Sequence, residues 1–172
     1  MILMAAFSGC TLSAQDSVAP IYEAQQIYKT ASGNLVKGAE EMPAKDYAFQ
    51  PTEESPSFGD LIAEVTGAQA DVCSAVEGKH VDMEHPFSTS KADLIVALRK
   101  SSDRCEAAYS FINNFNATEP IRFGGTPHSR LGLLYLNTTH VSEVYGQLAV
   151  YLRLKGLVPP SNRARLMPIS GE

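Results

Sequence analysis

Chemistry in this chain has few residues to draw on: four histidines, three cysteines and 19 carboxylates in 172 positions. His140 precedes Glu143 by one helical turn inside the long apolar stretch 129–160, and Glu64 lies in a second apolar stretch. An imidazole facing a carboxylate can share a proton, serve as a base, or ligate a divalent cation if further donors join it. His80 and His85 are five apart, with Asp82 and Glu84 beside them. Nothing else converges on them, so they read as a solvated loop. There is no glycine-rich phosphate loop, no His-Glu-x-x-His and no Gly-x-Ser-x-Gly elbow.

The elements that must position these groups are helices. In 129–160, Leu131, Leu134, Thr138, Val141, Tyr145, Leu148 and Leu152 recur three or four apart as one buried stripe. Leu133, Asn137, His140, Val144, Gln147 and Tyr151 lie on an adjoining face. Gly156 then suits a left-handed terminus, and Pro159-Pro160 prevents resumption. Such a helix is roughly 40 Å long, the full height of a four-helix bundle.

The chain in order supplies three more helices. Over 16–42, Ile21, Tyr28, Leu35 and Met42 recur every seven residues, with Ala24, Ala31 and Gly38 three later, as a bundle seam. Tyr47 and Phe49 follow in a connection expected to fold back as a clasp. Ser57 and Asp60 form a capping box that opens a second helix, with Phe58, Leu61, Ile62, Val65, Ala68, Gln69, Val72 and Val76 inward and Gly78 ending it. Glu64 falls inward or at the boundary. A second box, Ser90 with Asp93, opens a third helix carrying Leu94, Ile95, Leu98, Cys105, Ala108, Tyr109 and Ile112. Residues 116–128 then bridge to the last helix.

Cys73 sits about one turn before the end of the second helix, and Cys105 about four turns into the third. Between antiparallel neighbours that offset exceeds the reach of a disulfide, so both cysteines are expected as small core residues.

The wording of the last helix carries more than its period. His140-x-x-Glu143-x-Tyr145-Gly146-Gln147-Leu148, then Tyr151-Leu152-Arg153-x-Lys155-Gly156-x-x-Pro159-Pro160, resembles the last helix of the DinB-like family. The resemblance implies an all-α, up-and-down four-helix bundle over about all of the mature chain. The family pattern His-x-x-Glu-His-Tyr-Gly supplies two metal-binding histidines, and Ser-Phe-Gly-x-Leu-x-x-His on the second helix supplies a third. This chain keeps His140, has Val144 at the second position, and reads Ser57-Phe58-Gly59-Asp60-Leu61-Ile62-Ala63-Glu64 at the third. Valine cannot bind a metal.

Three arrangements are compatible with the resemblance. Glu64 and His140 form a buried carboxylate–imidazole pair with Val144 filling the gap; or the same two residues hold a divalent cation (zinc, nickel or iron) with help from water or another carboxylate; or Glu64 acts as base in a thiol transferase. The first is preferred, and it describes a non-catalytic protein with a degenerate metal site that needs no cofactor. Its cleft between helices two and four would receive a small molecule or a protein partner. The rival is a divalent-metal-dependent thiol transferase or hydrolase. Homodimerisation through helix faces is common in the family, but the sequence locates no interface. Arg153 is expected to anchor the C-terminal turn or to pair with an acid of a neighbouring helix.

With 44% hydrophobic residues, 19% charged residues and a net charge of −5, the chain is one globular domain with no basic run for nucleic acid. No stretch of eighteen apolar residues would cross a membrane. The domain division is 1–14 leader, 16–160 bundle and 161–172 mobile tail with Arg163 and Arg165. Met1 to Phe7 is apolar, and Leu12-Ser13-Ala14 precedes Gln15-Asp16, as at an export cleavage site. Cys10 after Phe7-Ser8-Gly9 offers lipoprotein processing instead. The expected location is therefore periplasmic or membrane-attached, against the alternative of a cytoplasmic protein with an apolar tail.

Overall fold

The computed structural model describes residues 19–79 and 90–166. The proposed leader with Cys10, and the loop histidines His80 and His85, lie outside the described residues.

Five helices and one hairpin account for most of the described chain: α1 (Pro20–Glu41), α2 (Phe58–Val76), α3 (Lys91–Phe111), β1 (Pro120–Phe123), β2 (Thr126–Ser129), α4 (Arg130–Leu154) and α5 (Pro160–Leu166). Local chemistry explains the ends. Pro20 opens α1, where its missing N–H costs nothing. Ser57 and Asp60 close both bonds of a capping box on α2. The Ser90 hydroxyl accepts from the Asp93 N–H at the start of α3. Gly156, at φ +74°, ends α4, with the Leu157 N–H returned to the Leu152 carbonyl.

The expected all-α helical bundle is present, and the helix directions within it decide which side chains can meet. Gln25 of α1 donates to the Tyr109 carbonyl of α3, while Arg99 pairs with Glu40, so α1 and α3 are antiparallel. Glu64 meets His140 and Tyr151 reaches Pro56, so α2 and α4 are antiparallel. Gly59 lies beside Leu94, Gln69 beside Ser101, and Ser74 beside Arg104, so α2 and α3 run parallel. The order of directions is up, down, down, up, which corrects the up-and-down alternation that the resemblance implies, because α2 and α3 run the same way. Each of α1 and α2 packs on both α3 and α4.

The parallel pair corrects the expectation about cysteine. Cys73 and Cys105 are joined in a disulfide, with their Cα atoms 5.1 Å apart. The expectation of two free core thiols assumed antiparallel neighbours. With both helices pointing the same way, residues near their lower halves share one level, and both cysteines are wholly buried there.

Around the bridge, the middle of the bundle is joined by polar contacts. The Tyr28 hydroxyl donates to Gln69 Oε1 at 2.7 Å, and Tyr28 stacks on Tyr109 with centroids 4.3 Å apart. Tyr109 donates to the Leu134 carbonyl at 2.7 Å, which links α3 to its diagonal neighbour α4. Burial pushes the Tyr109 phenol up to about 12, so it stays a neutral donor at any physiological pH.

The clasp expected of Tyr47 and Phe49 closes one end. Tyr47 donates to the Ala39 carbonyl at 2.7 Å and packs edge-on against Phe58, while Phe49 packs edge-on against Tyr151. Gly59 donates to the Tyr47 carbonyl at 2.8 Å, and a Cβ there would stand 3.3 Å from that oxygen. Close backbone approach therefore explains the glycine of Ser57-Phe58-Gly59. Lys155 pairs with Asp46 at 2.9 Å and lies over the Phe49 ring.

Two segments differ from expectation. The tail expected from 161 onward begins instead with α5, held by Tyr145 bonded to Ser161 at 2.9 Å and by Arg163 paired with Glu41 at 2.8 Å. Arg153 donates to Asn162 across the same junction and thus anchors the C-terminal turn. The bridge 116–128 contains a hairpin turned by Gly124 and Gly125, both at positive φ, which a two-residue turn of this kind demands. Among the described residues, no helix is long and apolar enough to cross a membrane.

Candidate functional site

The inward face of α2 is set by Leu61, Ile62, Val65, Gln69, Val72 and Val76, all buried. At 100° per residue, Glu64, Ala68 and Asp71 fall on the flank of that face, turned toward α4. On α4 the buried face runs through Leu133, Asn137, Val141, Val144 and Leu148. Leu136, His140 and Glu143 occupy its flank. Two flanks of antiparallel helices therefore meet in one cleft.

Within that cleft the structure brings Glu64 and His140 together, with Oε1 and Nε2 3.7 Å apart. This is an ion-pair separation, longer than a hydrogen bond. The Glu64 side chain is 56% exposed and that of His140 29%, so the pair sits at the rim. The expectation of a buried, hydrogen-bonded pair is corrected: burial of the Leu61–Ile62–Val65 face leaves Glu64 nearly a quarter turn outside the core. Water screens its charge without a bonded partner. His140 is less free, because its Nε2 is shielded from solvent and has no hydrogen-bond partner.

Val144 is buried at 1% exposure and fills the second ligand position with apolar volume. Among the described residues, no three His, Cys, Asp or Glu side chains converge as a metal site. A tetrahedral centre would bring two such donors to roughly 3.4 Å of each other and would require at least one more protein ligand. One imidazole, one half-exposed carboxylate and a valine do not fit the three-nitrogen centre that the resemblance implies.

Next to His140 the cleft widens to about 410 Å³, walled by Ala68, Asp71 and Val72 of α2, by Leu136, Asn137, Thr139 and Glu143 of α4, and by Phe123 of the hairpin. Phe123 alternates with exposed Arg122 along β1, so the strand turns its aromatic side chain toward the bundle. Sequence reasoning missed Phe123, Asp71 and Asn137 as parts of this site. Gly124-Gly125 after Ile121-Arg122-Phe123 was the available signal for the hairpin. Asp71 becomes relevant only once α2 is known to oppose α4. A depression of about 450 Å³ between α1 and α4 carries Gln26, Thr30 and Ser142, with no carboxylate or histidine among its described lining residues.

No protein-family model matches the sequence, and no curated protein matches it significantly. Solved structures do match its fold. A DinB-like protein from Bacillus cereus ATCC 10987 superposes with a TM-score of 0.70 at 19% identity, over 81% of this chain and 95% of that one. The DinB-like protein YjoA from Bacillus subtilis gives 0.64 at 17% identity, over 78% and 92%. A conserved protein from Enterococcus faecalis gives 0.63 at 13% identity, over 80% and 98%. The helical bundle of this chain is the fold of the DinB-like proteins.

Proposed function

We propose that this chain is a non-catalytic DinB-like protein that binds a small molecule in the cleft between α2 and α4. The observation that carries this reading is the composition of the cleft. A cavity of about 410 Å³ adjoins His140, where the positions that hold metal ligands in the resemblance carry Glu64 and Val144. Apolar walls and a few polar groups suit ligand binding, whereas metal-assisted catalysis calls for a complete donor set. Protein purified without chelators should contain substoichiometric zinc, nickel and iron by elemental analysis. One equivalent of any of these, lost on His140→Ala, would overturn the reading and favour a metal-dependent thiol transferase or hydrolase.

One observation favours the rival: Nε2 of His140 has no hydrogen-bond partner and faces Glu64. Two protein donors give a weak site, so the rival requires donors from a ligand or from water.

The working location under this reading is the periplasm or the outer face of a membrane. The apolar Met1–Phe7 run and a buried disulfide both support an oxidising compartment. Fractionated cells should yield the protein outside the cytoplasm, with Cys73 and Cys105 resistant to alkylation until reduced. A cytoplasmic protein with two reactive thiols would sink this part of the proposal.

A further inference from the structure

The end of the bundle where α3 stops carries an uncovered aromatic side chain. Phe115 is 93% exposed, yet the loop that holds it is cross-braced. Asn113 Oδ1 accepts from the Phe115 and Asn116 N–H groups, and Asn116 Oδ1 accepts from the Asn113 N–H. The Asn116 side-chain amide donates to the Phe111 carbonyl, and the Leu131 N–H donates to the Ala117 carbonyl, tying the loop to α4. The ring is therefore held outward in one place, although burial of so large an apolar group is favourable. Two more rings share this end. Phe111, in the last turn of α3, is 43% exposed, and Tyr22, in the first turn of α1, is 55% exposed.

Where the chain enters the bundle says what covers these rings. The Gln25 side chain donates to the Tyr109 carbonyl, so the start of α1 lies against the finish of α3. Residues 1–18 thus join the fold at the aromatic end, and they contain the apolar run Met1 to Phe7 and Cys10. Cys10 precedes Ala19 by nine positions. Even at full extension that is a reach of roughly 30 Å. An attachment at or before Cys10 keeps Phe115 toward the lipid. Charge narrows the kind of surface. Phe111 to Thr118 contains no charged residue, and the chain carries a net charge of −5. Contact at this end is apolar, and it suits a zwitterionic bilayer better than an anionic one.

Resting on the reading that the chain works at the outer face of a membrane, we propose that this end of the bundle docks on the lipid bilayer. Phe115 enters among the acyl chains, while Phe111 and Tyr22 lie at headgroup level, where a ring with one polar tip is well placed. No covalent step is involved. The braced loop sets the depth of the ring, and the leader sets which end faces the lipid.

The chain has no tryptophan, so Phe115→Trp and Val96→Trp each introduce a single fluorescent reporter. Val96 is 67% exposed in the second turn of α3, at the opposite end of the bundle, so neither change touches the core. The full chain, as purified from cells, is mixed with phosphatidylcholine vesicles. Emission of the Phe115→Trp protein should shift to the blue and be quenched by lipids brominated along their acyl chains. Emission of the Val96→Trp protein should do neither. Raised salt should leave both results unchanged, because no charge pair is made. Quenching of both reporters alike, quenching of neither, or a Phe115→Trp response abolished by salt would overturn the docking. A dimer in lipid-free solution that Phe115→Ser separates would assign the ring to a second copy and overturn it too. Fractionation decides the location separately. Insertion at 115 by a chain recovered from the cytoplasm would sink the location and leave lipid docking standing, and no insertion by a chain recovered outside the cytoplasm would do the reverse.

Discussion

Reducing the Cys73–Cys105 bridge should lower the thermal midpoint of the protein by about 10 °C, without changing its fold at room temperature. The two cysteines are separated by 32 positions, and closing a loop of that length removes roughly 3–4 kcal/mol of chain entropy from the unfolded state. Both sulfurs are fully buried between parallel helices, so the bond also holds α2 and α3 in one register. The segment joining those helices starts and finishes at opposite ends of the bundle. Without the cross-link, little covalent connection limits sliding of α2 past α3. Calorimetry of oxidised and reduced wild-type protein is the clean comparison, because a Cys→Ala pair would also open cavities. A shift below about 2 °C would mean that the register is held entirely by packing.

Tyr109→Ala should destabilise by about 3–5 kcal/mol, whereas Tyr109→Phe should cost only about 1 kcal/mol. Tyr109 is 2% exposed, stacks on Tyr28 of α1 with an interplanar angle of 14°, and bonds the Leu134 carbonyl of α4. Phenylalanine retains the stack and loses the hydroxyl's bonds to the Leu134 carbonyl and to Thr138; alanine removes a ring from the contact of three helices. Urea titrations with an unchanged slope would measure both values. Should the alanine variant lie within 1 kcal/mol of wild type, the stack would not be an organising contact.

These two positions mark how far the sequence could be read. Tyr28 and Tyr109 fell on the inward faces of α1 and α3 because helical period alone assigns them there. That Tyr109 would stack on Tyr28, and that Gln69 would receive the Tyr28 hydroxyl, depended on which helices are neighbours. The candidate site divides the same way. His140 and Glu64 were legible as a pair through the resemblance, and they do meet. Their exposure was not legible, since Glu64 sits on the flank of its helix. Only the position of α4 decides whether a flank is core or rim.

What sequence by itself determined was local: helix starts at Ser57 and Ser90, the stops at Gly78 and Gly156, the buried stripes, and the absence of a nitrogen donor at Val144. Capping bonds, positive-φ glycines and side-chain chemistry act within a few residues, so they are written in the chain. Tertiary structure alone decided that α2 and α3 run parallel, that Cys73 therefore reaches Cys105, and that Asp71, Asn137 and Phe123 wall one cavity. A helix buries the same stripe whichever way its neighbour points, so periodicity carries no information about direction. The disulfide and the cleft both depend on that direction.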